Sequence, residues 1–220
     1  MTEMNFETAR HNMIEQQIRP WNVIDQVSLD VMEMVPRENF VADKYKNVAF
    51  ADLELPIGFG QLMLAPKIEA KILQALQVKK TEYILEIGTG SGYLTALLAS
   101  LGKQVHTIEL HDTLSKLAQQ RLAAENITNV TFSVADATHG YNWNRPYNVI
   151  VLTGSVPAIT DDFKNSLTVG GRLFAVVGSG EVMEATLVTR AADNSFAEEP
   201  LFETILQPLE NIQQANTFKF

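Results

Sequence analysis

The chain has 220 residues, 46% of them hydrophobic, which suits one domain with a substantial core. A formal net charge of -9 disfavours a nucleic-acid substrate, because proteins that bind nucleic acids usually carry a basic surface. Cysteine is absent, no apolar run is long enough to span a bilayer, and the first residues lack the layout of a signal peptide, so we expect a cytoplasmic protein with no disulfide framework and no membrane partner.

Two helices are predicted near the N-terminus. The first runs from about Thr8 to Ile18 and ends before Pro20, since the residue that precedes a proline avoids the helical region. The second runs from Gln26 to Met34 behind Asp25, which is a good N-terminal cap. The residues expected on its inward stripe are Val27, Val31 and Met34.

The stretch from Phe40 to Pro66 shows no strong periodicity and predicts a loop with short extended pieces. Pro66 suits the first turn of a helix from Lys67 to Leu76. The side chains expected to face the core from this helix are Ile68, Ile72, Leu73 and Leu76. Residues 1–80 are thus expected to form a helical and loop extension that packs on a core of residues 81–220, the whole being effectively one domain.

From residue 83 onward, apolar strands alternate with helices. Strands are predicted at 83–87, 104–109, 130–134, 147–152 and 172–177, and helices at 93–99, 111–125 and 159–167. Residues 183–189 and 202–206 are expected to form an antiparallel hairpin with a turn within 191–197. The alternation predicts an α/β fold, a doubly wound Rossmann-like sheet that is mostly parallel with an antiparallel edge hairpin.

A glycine-rich turn follows the first strand of this series, in the sequence Glu86-Ile87-Gly88-Thr89-Gly90-Ser91-Gly92. Alternating glycines let the backbone bend and let a ligand touch the main chain, and the next helix offers unpaired N–H groups. The second strand, about twenty residues on, ends in Glu109, where an acid typically binds ribose hydroxyls. We therefore expect a nucleoside-type cofactor at this turn.

Other residues at strand ends add to the predicted site. The residues that follow predicted strands are Gly88, Glu109, Asp136 and Thr153. They should converge on one rim, because ligands bind such sheets at the carboxyl ends of the strands. Asp136 has two interpretations: it accepts a hydrogen bond from an adenine amino group, or it caps a turn.

Metal and nucleophile sites are not expected. The histidines, His11, His106, His111 and His139, are scattered without a metal-ligand spacing. Ser155 lacks a Gly-x-Ser-x-Gly setting, and we interpret it as a small residue where the chain passes the site.

The segment 85–92 resembles the first motif of class I S-adenosylmethionine-dependent methyltransferases. Further motifs stand in order along nearly the whole chain: Met13–Ile18, Val35–Val41, Gly60-Gln61, Ala65-Pro66, Arg145–Ile150, Val169–Leu173 and Gln207–Leu209. Together they resemble the protein-L-isoaspartate O-methyltransferase family. The sequence Val-Pro-Arg-Glu-Asn-Phe-Val at Val35–Val41 is much more specific than the glycine turn alone.

The resemblance implies transfer of a methyl group from S-adenosyl-L-methionine to the free carboxylate of isoaspartyl residues, which leaves S-adenosyl-L-homocysteine and repairs damaged proteins. The cofactor-binding residues it implies are Glu86, Gly88, Thr89, Gly90, Gly92, Glu109, Leu110, Asp136 and Ala137. The substrate-loop residues it implies are Gln61, Leu62, Leu64 and Pro66. A monomer or weak dimer is expected.

The substrate loop departs from the family pattern. The family threonine falls on Leu62 and the family serine on Leu64, so no catalytic side chain is assigned. A substrate carboxylate is ionised at neutral pH and needs no general base, but it loses a hydrogen bond that would orient it. Two alternatives therefore stay open: a methyltransferase of the same fold that acts on a more apolar small molecule, and a cofactor-binding module without catalysis.

Overall fold

A computed structural model describes residues 4–138 and 146–212. Its α-helices are α1 (Phe6–Met13), α2 (Gln26–Met34), α3 (Pro66–Leu76), α4 (Tyr93–Leu101), α5 (Asp112–Ala124) and α6 (Asp161–Asn165). Its strands are β1 (Leu55–Gly58), β2 (Gln61–Met63), β3 (Tyr83–Ile87), β4 (Gln104–Glu109), β5 (Val130–Val134), β6 (Tyr147–Val156), β7 (Leu167–Ser179), β8 (Val182–Ala192) and β9 (Ser195–Glu203).

The described strands form a two-stranded sheet, β1-β2, and a seven-stranded sheet of order β5-β4-β3-β6-β7-β8-β9. The five neighbouring strands β5, β4, β3, β6 and β7 pair in parallel. Strands β8 and β9 pair antiparallel at the edge next to β7. The order reverses between β3 and β6, which makes the carboxyl ends of these two strands the topological switch point. The predicted doubly wound sheet with an antiparallel edge hairpin is confirmed.

The predicted strand 147–152 forms within β6 because its central residues are buried on both faces. Val149, Ile150, Val151 and Leu152 of β6 have no solvent exposure. Such continuous apolar runs are typical of parallel strands covered by helices. Strand β6 continues to Val156, four residues beyond the predicted end at Leu152.

The first helix is longer than predicted. After α1 the chain continues through a π-helical turn, Ile14–Ile18, and a 3-10 turn, Arg19–Trp21. Pro20 was expected to end the helix, but it lies in the first turn of the 3-10 segment. The residue before it, Arg19, has helical φ and ψ angles, so the expected effect of the proline on its predecessor does not occur, and the helical hydrogen-bond pattern changes at this point instead.

Helix α2 has the predicted bounds, and Oδ2 of Asp25 accepts a hydrogen bond from the N–H of Ser28 as its cap. The predicted inward stripe is right at Val31, which is buried, and wrong at its other two residues. Val27 and Met34 are 56% and 75% exposed, and the buried apolar residues are Leu29, Val31 and Met32. Helices α3 and α4 pack against α2, and the neighbours of a helix decide which of its apolar residues are covered.

Residues 40–66 contain the short extended pieces that were predicted, β1 and β2, which pair as a hairpin, and a 3-10 turn, Asp43–Val48. Helix α3 begins at Pro66, and its four predicted core residues are at most 5% exposed. One hydrophobic cluster joins N-terminal side chains such as Met13 and Leu29 with Val149 and Phe174 of the sheet. Residues 4–80 thus share a core with the sheet.

Two late elements have other bounds than predicted. The predicted helix 159–167 is only α6, because Leu167 is fully buried and pairs with Tyr147 as the start of β7. The hairpin strands are β8 and β9, so the second strand begins seven residues before the predicted 202 and ends at Glu203. Strand β9 is a polar edge strand, whose sequence lacks the apolar run by which buried strands are recognised.

Candidate functional site

A cleft lies at the topological switch point, with free space of about 770 Å³. Its walls are the residues of four regions: the β1-β2 hairpin (Glu54, Ile57, Gln61, Leu62, Leu64), the ends of β3 and β4 with the start of α5 (Ile87, Gly88, Gly90, Ile108, Glu109, Leu110, His111, Leu114), the end of β5 (Ala135, Asp136, Ala137, Thr138), and the β6 and C-terminal segments (Thr153, Gly154, Gln207, Pro208, Leu209, Glu210).

The glycine turn and Glu109 are held together at the centre of the cleft. Oε2 of Glu109 accepts a hydrogen bond from the N–H of Gly90 at 2.8 Å, and Oε1 accepts one from the N–H of His111 at 3.1 Å. These backbone donors fix the carboxylate in one orientation. A carboxylate has about four acceptor positions, so two remain for hydroxyl groups of a ligand.

The backbone conformation at positions 88 and 90 favours glycine over residues with a Cβ atom. Both have positive φ angles, +94° and +54°. A Cβ on Gly88 would lie 2.2 Å from Oγ1 of Thr153, the hydroxyl that donates to the carbonyls of Ile87 and Gly88. The hydroxyl of Thr153 thus links the glycine turn to β6, and Thr153 lies on the same rim as Gly88, as predicted.

Asp136 lines the cleft, and it also makes the turn contacts of its other interpretation. Its Oδ1 accepts from the N–H and the hydroxyl of Thr138, at 3.0 and 2.6 Å. Its Oδ2 accepts from the side-chain amide of Asn211 at 2.9 Å. Ala137, 4% exposed, and Leu110 also line the cleft.

Glu86 is predicted as a cofactor-binding residue, but the structure places it behind the glycine turn, without solvent exposure and off the cleft wall. Its Oε2 accepts from the hydroxyls of Thr95 at 2.5 Å and Thr107 at 2.7 Å. Thr107 is also in contact with the hydroxyl of Thr89, at 2.6 Å. Burial raises the pKa of Glu86 to about 8, although the two threonine hydroxyls oppose the rise.

Three more predicted site residues do not line the cleft, and one of them, Thr89, lines a smaller space beside it. Gly92 caps α4, and a Cβ there would lie 2.8 Å from Leu122 and 3.0 Å from Ala118, so it allows close packing of α4 against α5. Pro66 is buried in the first turn of α3.

A smaller space of about 310 Å³ adjoins the cleft, and we name it the inner pocket. Its lining residues are Leu62, Met63, Leu64, Glu69, Gly88, Thr89, Gly90, Ser91, Leu94 and Thr153. Leu62 and Leu64 line both the cleft and the inner pocket. The two positions at which the family pattern has hydroxyls are therefore on the walls of the site.

Arg37 fixes the loop that carries Leu64. Its guanidinium donates to the carbonyl of Leu64 at 2.6 Å, to the carbonyl of Ala49 at 2.8 Å, and to the carboxylate of Glu69. Arg37 is fully buried, and Glu69 is 1% exposed. Burial raises the pKa of Glu69 to about 7, against the opposing charge and hydrogen bond of Arg37.

The C-terminal segment closes the outer side of the cleft, and its wall residues were not predicted. Oε2 of Glu210 accepts from the side-chain amide of Gln61 at 3.1 Å and is 2.9 Å from Nε2 of His111. The ring of Phe59, at the hairpin tip, stacks on His111 with centroids 4.5 Å apart. The motif at 207–209 was the available signal in the sequence, but nothing local in it shows that it reaches the cleft.

Within residues 4–138 and 146–212, no group of three or more His, Asp or Glu side chains is arranged to hold a metal ion. His139 and Arg145 lie outside the described residues. Ser155 donates to the carbonyl of Leu206 at 2.9 Å, which ties β6 to the C-terminal segment. No helix in the described part of the chain is long and apolar enough to cross a membrane.

Comparison with known proteins identifies the family. Residues 8–214 match the family model for protein-L-isoaspartate(D-aspartate) O-methyltransferase. The chain belongs to this family. A protein-L-isoaspartate O-methyltransferase of Methanospirillum hungatei is 39% identical over 191 residues, 87% of this chain and 88% of the relative. One of Koribacter versatilis is 37% identical over 187 residues, 85% of this chain and 84% of the relative.

Solved structures of this family share the fold. A protein-L-isoaspartate O-methyltransferase structure superposes with a TM-score of 0.80 at 22% identity, covering 92% of this chain and 66% of that one. A Plasmodium falciparum structure, described as a complex with S-adenosyl-L-homocysteine, superposes with a TM-score of 0.78 at 16% identity, covering 94% and 99%. The family prediction made from the motifs is confirmed.

Proposed function

We propose that this protein transfers the methyl group of S-adenosyl-L-methionine to the free carboxylate of isoaspartyl residues in damaged proteins, as a repair enzyme of the cytoplasm. The observation that carries the proposal is the cleft in which Glu109 and the glycine turn meet at the switch point of the sheet, in a chain that belongs to the isoaspartyl methyltransferase family. S-Adenosyl-L-homocysteine is the expected product.

The chemistry of the cleft fits this cofactor. Glu109 has free acceptor positions for two ribose hydroxyls, and Asp136 offers carboxylate oxygens to an amino group. Ile108, Leu114 and Ala137 supply apolar surface for a base. Glu86 lies behind the turn, so we assign it a positioning role through Thr107 and Thr95, not a contact with the ligand.

When bound, S-adenosyl-L-methionine supplies an electrophilic methyl group. The protein then has to hold a substrate carboxylate in line with that methyl group and keep water away. No proton has to be removed, since a carboxylate with an ordinary pKa near 4 is already ionised at neutral pH. The loop fixed by Arg37 and the apolar side chains of Leu62 and Leu64 form the wall that would exclude water.

A second candidate is a methyltransferase that acts on a more apolar small molecule. Leu62 and Leu64 favour it, because two leucines lie on the wall of the site where the family pattern has two hydroxyls. Burying an unpaired carboxylate beside them is costly. The two candidates share the cofactor site and differ only in the group that occupies the inner pocket.

One experiment separates these functions. Methyl transfer from labelled S-adenosyl-L-methionine is measured with two matched peptides, one isoaspartyl and one with normal aspartate, and cofactor affinity is measured by calorimetry. Transfer to the isoaspartyl peptide alone is expected. Cofactor binding without transfer to either peptide would refute the isoaspartyl activity and favour the second candidate or a module without catalysis.

A further inference from the structure

The inner pocket contains one ionisable group among its described lining residues, the carboxylate of Glu69. Its side chain is 2% exposed and projects from the first turns of α3. Buried carboxylates are rare without a specific partner. Here the partner is Arg37, whose guanidinium binds Oε2.

Arg37 leaves the other oxygen of Glu69 available. Among the described residues, Oε1 of Glu69 receives no hydrogen bond, while Oε2 is taken by Arg37. The same guanidinium also holds the carbonyl of Leu64 at 2.6 Å. The carboxylate and the backbone at the family serine position are therefore fixed relative to each other by one rigid group.

The other polar side chains of the inner pocket are engaged elsewhere. The hydroxyl of Thr153 donates to backbone carbonyls, and that of Thr89 contacts Thr107. The hydroxyl of Ser91 accepts from the N–H of Tyr93 at 3.2 Å. The free carboxylate oxygen of Glu69 is thus the strongest acceptor that the pocket offers to a substrate.

We propose that Oε1 of Glu69 accepts a hydrogen bond from the backbone N–H of the isoaspartyl residue. This contact selects substrates by the spacing between that N–H and the reacting carboxylate. This inference rests on the proposed function. In an isoaspartyl residue the N–H and the carboxylate are attached to the same carbon, whereas in normal aspartate a methylene separates the side-chain carboxylate from that carbon.

At pH values above its pKa of about 7, where Glu69 is ionised, its charge adds to this selection. A carboxylate attracts an N–H donor and repels another carboxylate, so the substrate carboxylate is turned away from Glu69 when its N–H is turned toward it. The positive charge of Arg37 balances the negative charge of Glu69, so the ion pair as a whole does not repel an anionic substrate from the pocket. The hydrogen bond to Glu69 replaces the orienting contacts that Leu62 and Leu64 do not make.

The test is a cycle between an enzyme change and a substrate change. The enzyme change is Glu69→Gln, because the single amide oxygen is then taken by Arg37 and an NH₂ group faces the substrate. The substrate change is an isoaspartyl peptide in which an ester oxygen replaces the N–H of the isoaspartyl residue. The matched control is Glu38→Gln, since Glu38 is a buried acid paired with Arg10 at 2.5 Å and lines neither pocket.

Loss of one hydrogen bond to a charged group should lower kcat/KM about 10- to 100-fold. We expect this fall when wild type is given the ester peptide and when Glu69→Gln is given the amide peptide. Glu69→Gln should lose little further on the ester peptide, and Glu38→Gln should discriminate between the peptides as wild type does. Melting temperature and S-adenosyl-L-homocysteine affinity report whether each variant has folded.

Each outcome decides the matter. If wild type uses the amide and ester peptides equally well, Glu69 does not accept the N–H, and this result needs no variant. If Glu69→Gln loses activity but keeps the full discrimination between the peptides, its role is structural and the proposal is wrong. If wild type transfers no methyl group to the amide peptide, the proposed function itself fails, and the inference that rests on it fails with it.

Discussion

The buried carboxyl group of Glu86 predicts how the free energy of unfolding changes with pH. Its folded pKa is about 8, and the ordinary value is 4.5. Below pH 4.5 the carboxyl is protonated in the folded and the unfolded chain, so its contribution to stability is fully present. As the pH rises toward 8, the unfolded chain releases this proton and the folded chain keeps it. The free energy of unfolding therefore falls with rising pH in this window.

The substitution Glu86→Gln removes the titration and keeps a carbonyl oxygen for Thr95 and Thr107. One pKa unit corresponds to about 1.4 kcal/mol, so between pH 5 and pH 8 the variant should gain about 3.5 kcal/mol over wild type. Burial also raises the pKa of Glu69, a group that is present in both proteins, so its titration contributes to both pH profiles.

The assay is urea unfolding of wild type and Glu86→Gln at pH 5, 6.5 and 8, with the free energy of unfolding extrapolated to water. Glu199→Gln serves as the control, because Glu199 is exposed on the edge strand β9 and should follow wild type at every pH. If the curves of Glu86→Gln and wild type run parallel across this range, Glu86 is not held protonated in the folded protein and the reasoning is wrong.

Three further predictions concern the site. Leu64→Ser should raise the rate of methyl transfer to an isoaspartyl peptide, since it restores a hydroxyl on the wall of both pockets; an unchanged rate would show that the geometry of the loop has diverged. Glu109→Gln should weaken S-adenosyl-L-homocysteine binding about 10- to 100-fold by calorimetry, because a charged acceptor is lost; equal affinity would place the ribose elsewhere. Gly90→Val should abolish that binding, because φ is +54° and the added Cβ would lie 3.2 Å from Ile57; retained affinity would mean that the turn is not the site.

Some of the site could be predicted because its signals are local. The glycine turn with Glu109 nineteen positions beyond Gly90 is a short pattern, and the two are hydrogen bonded at 2.8 Å. Burial cannot be read from the same pattern: Glu86 stands beside the turn in sequence, yet its side chain lies behind it. The direction of a strand residue depends on the pleat and on what covers each face of the sheet.

Other features were missed because distant segments create them. Glu210 meets Gln61 and His111 across 149 and 99 positions of sequence, so no local window contains the outer wall of the cleft. Arg37 belongs to a motif that identifies the family, but the motif does not show that its guanidinium joins Leu64 to Glu69. Contacts of this kind arise only when separate elements pack.

The amino-acid sequence by itself determined the order of strands and helices, the parallel sheet and the family, because these follow from hydrophobic periodicity, capping residues and ordered motifs. Only the tertiary structure decided which face of α2 is buried and that Glu86 is buried beneath the glycine turn. It also decided that Glu69 lines the inner pocket with only one of its carboxylate oxygens bound by Arg37. The physical reason is that periodicity is a property of neighbouring residues. Burial, pKa and the partner of a buried charge are set by side chains that folding brings from elsewhere in the chain.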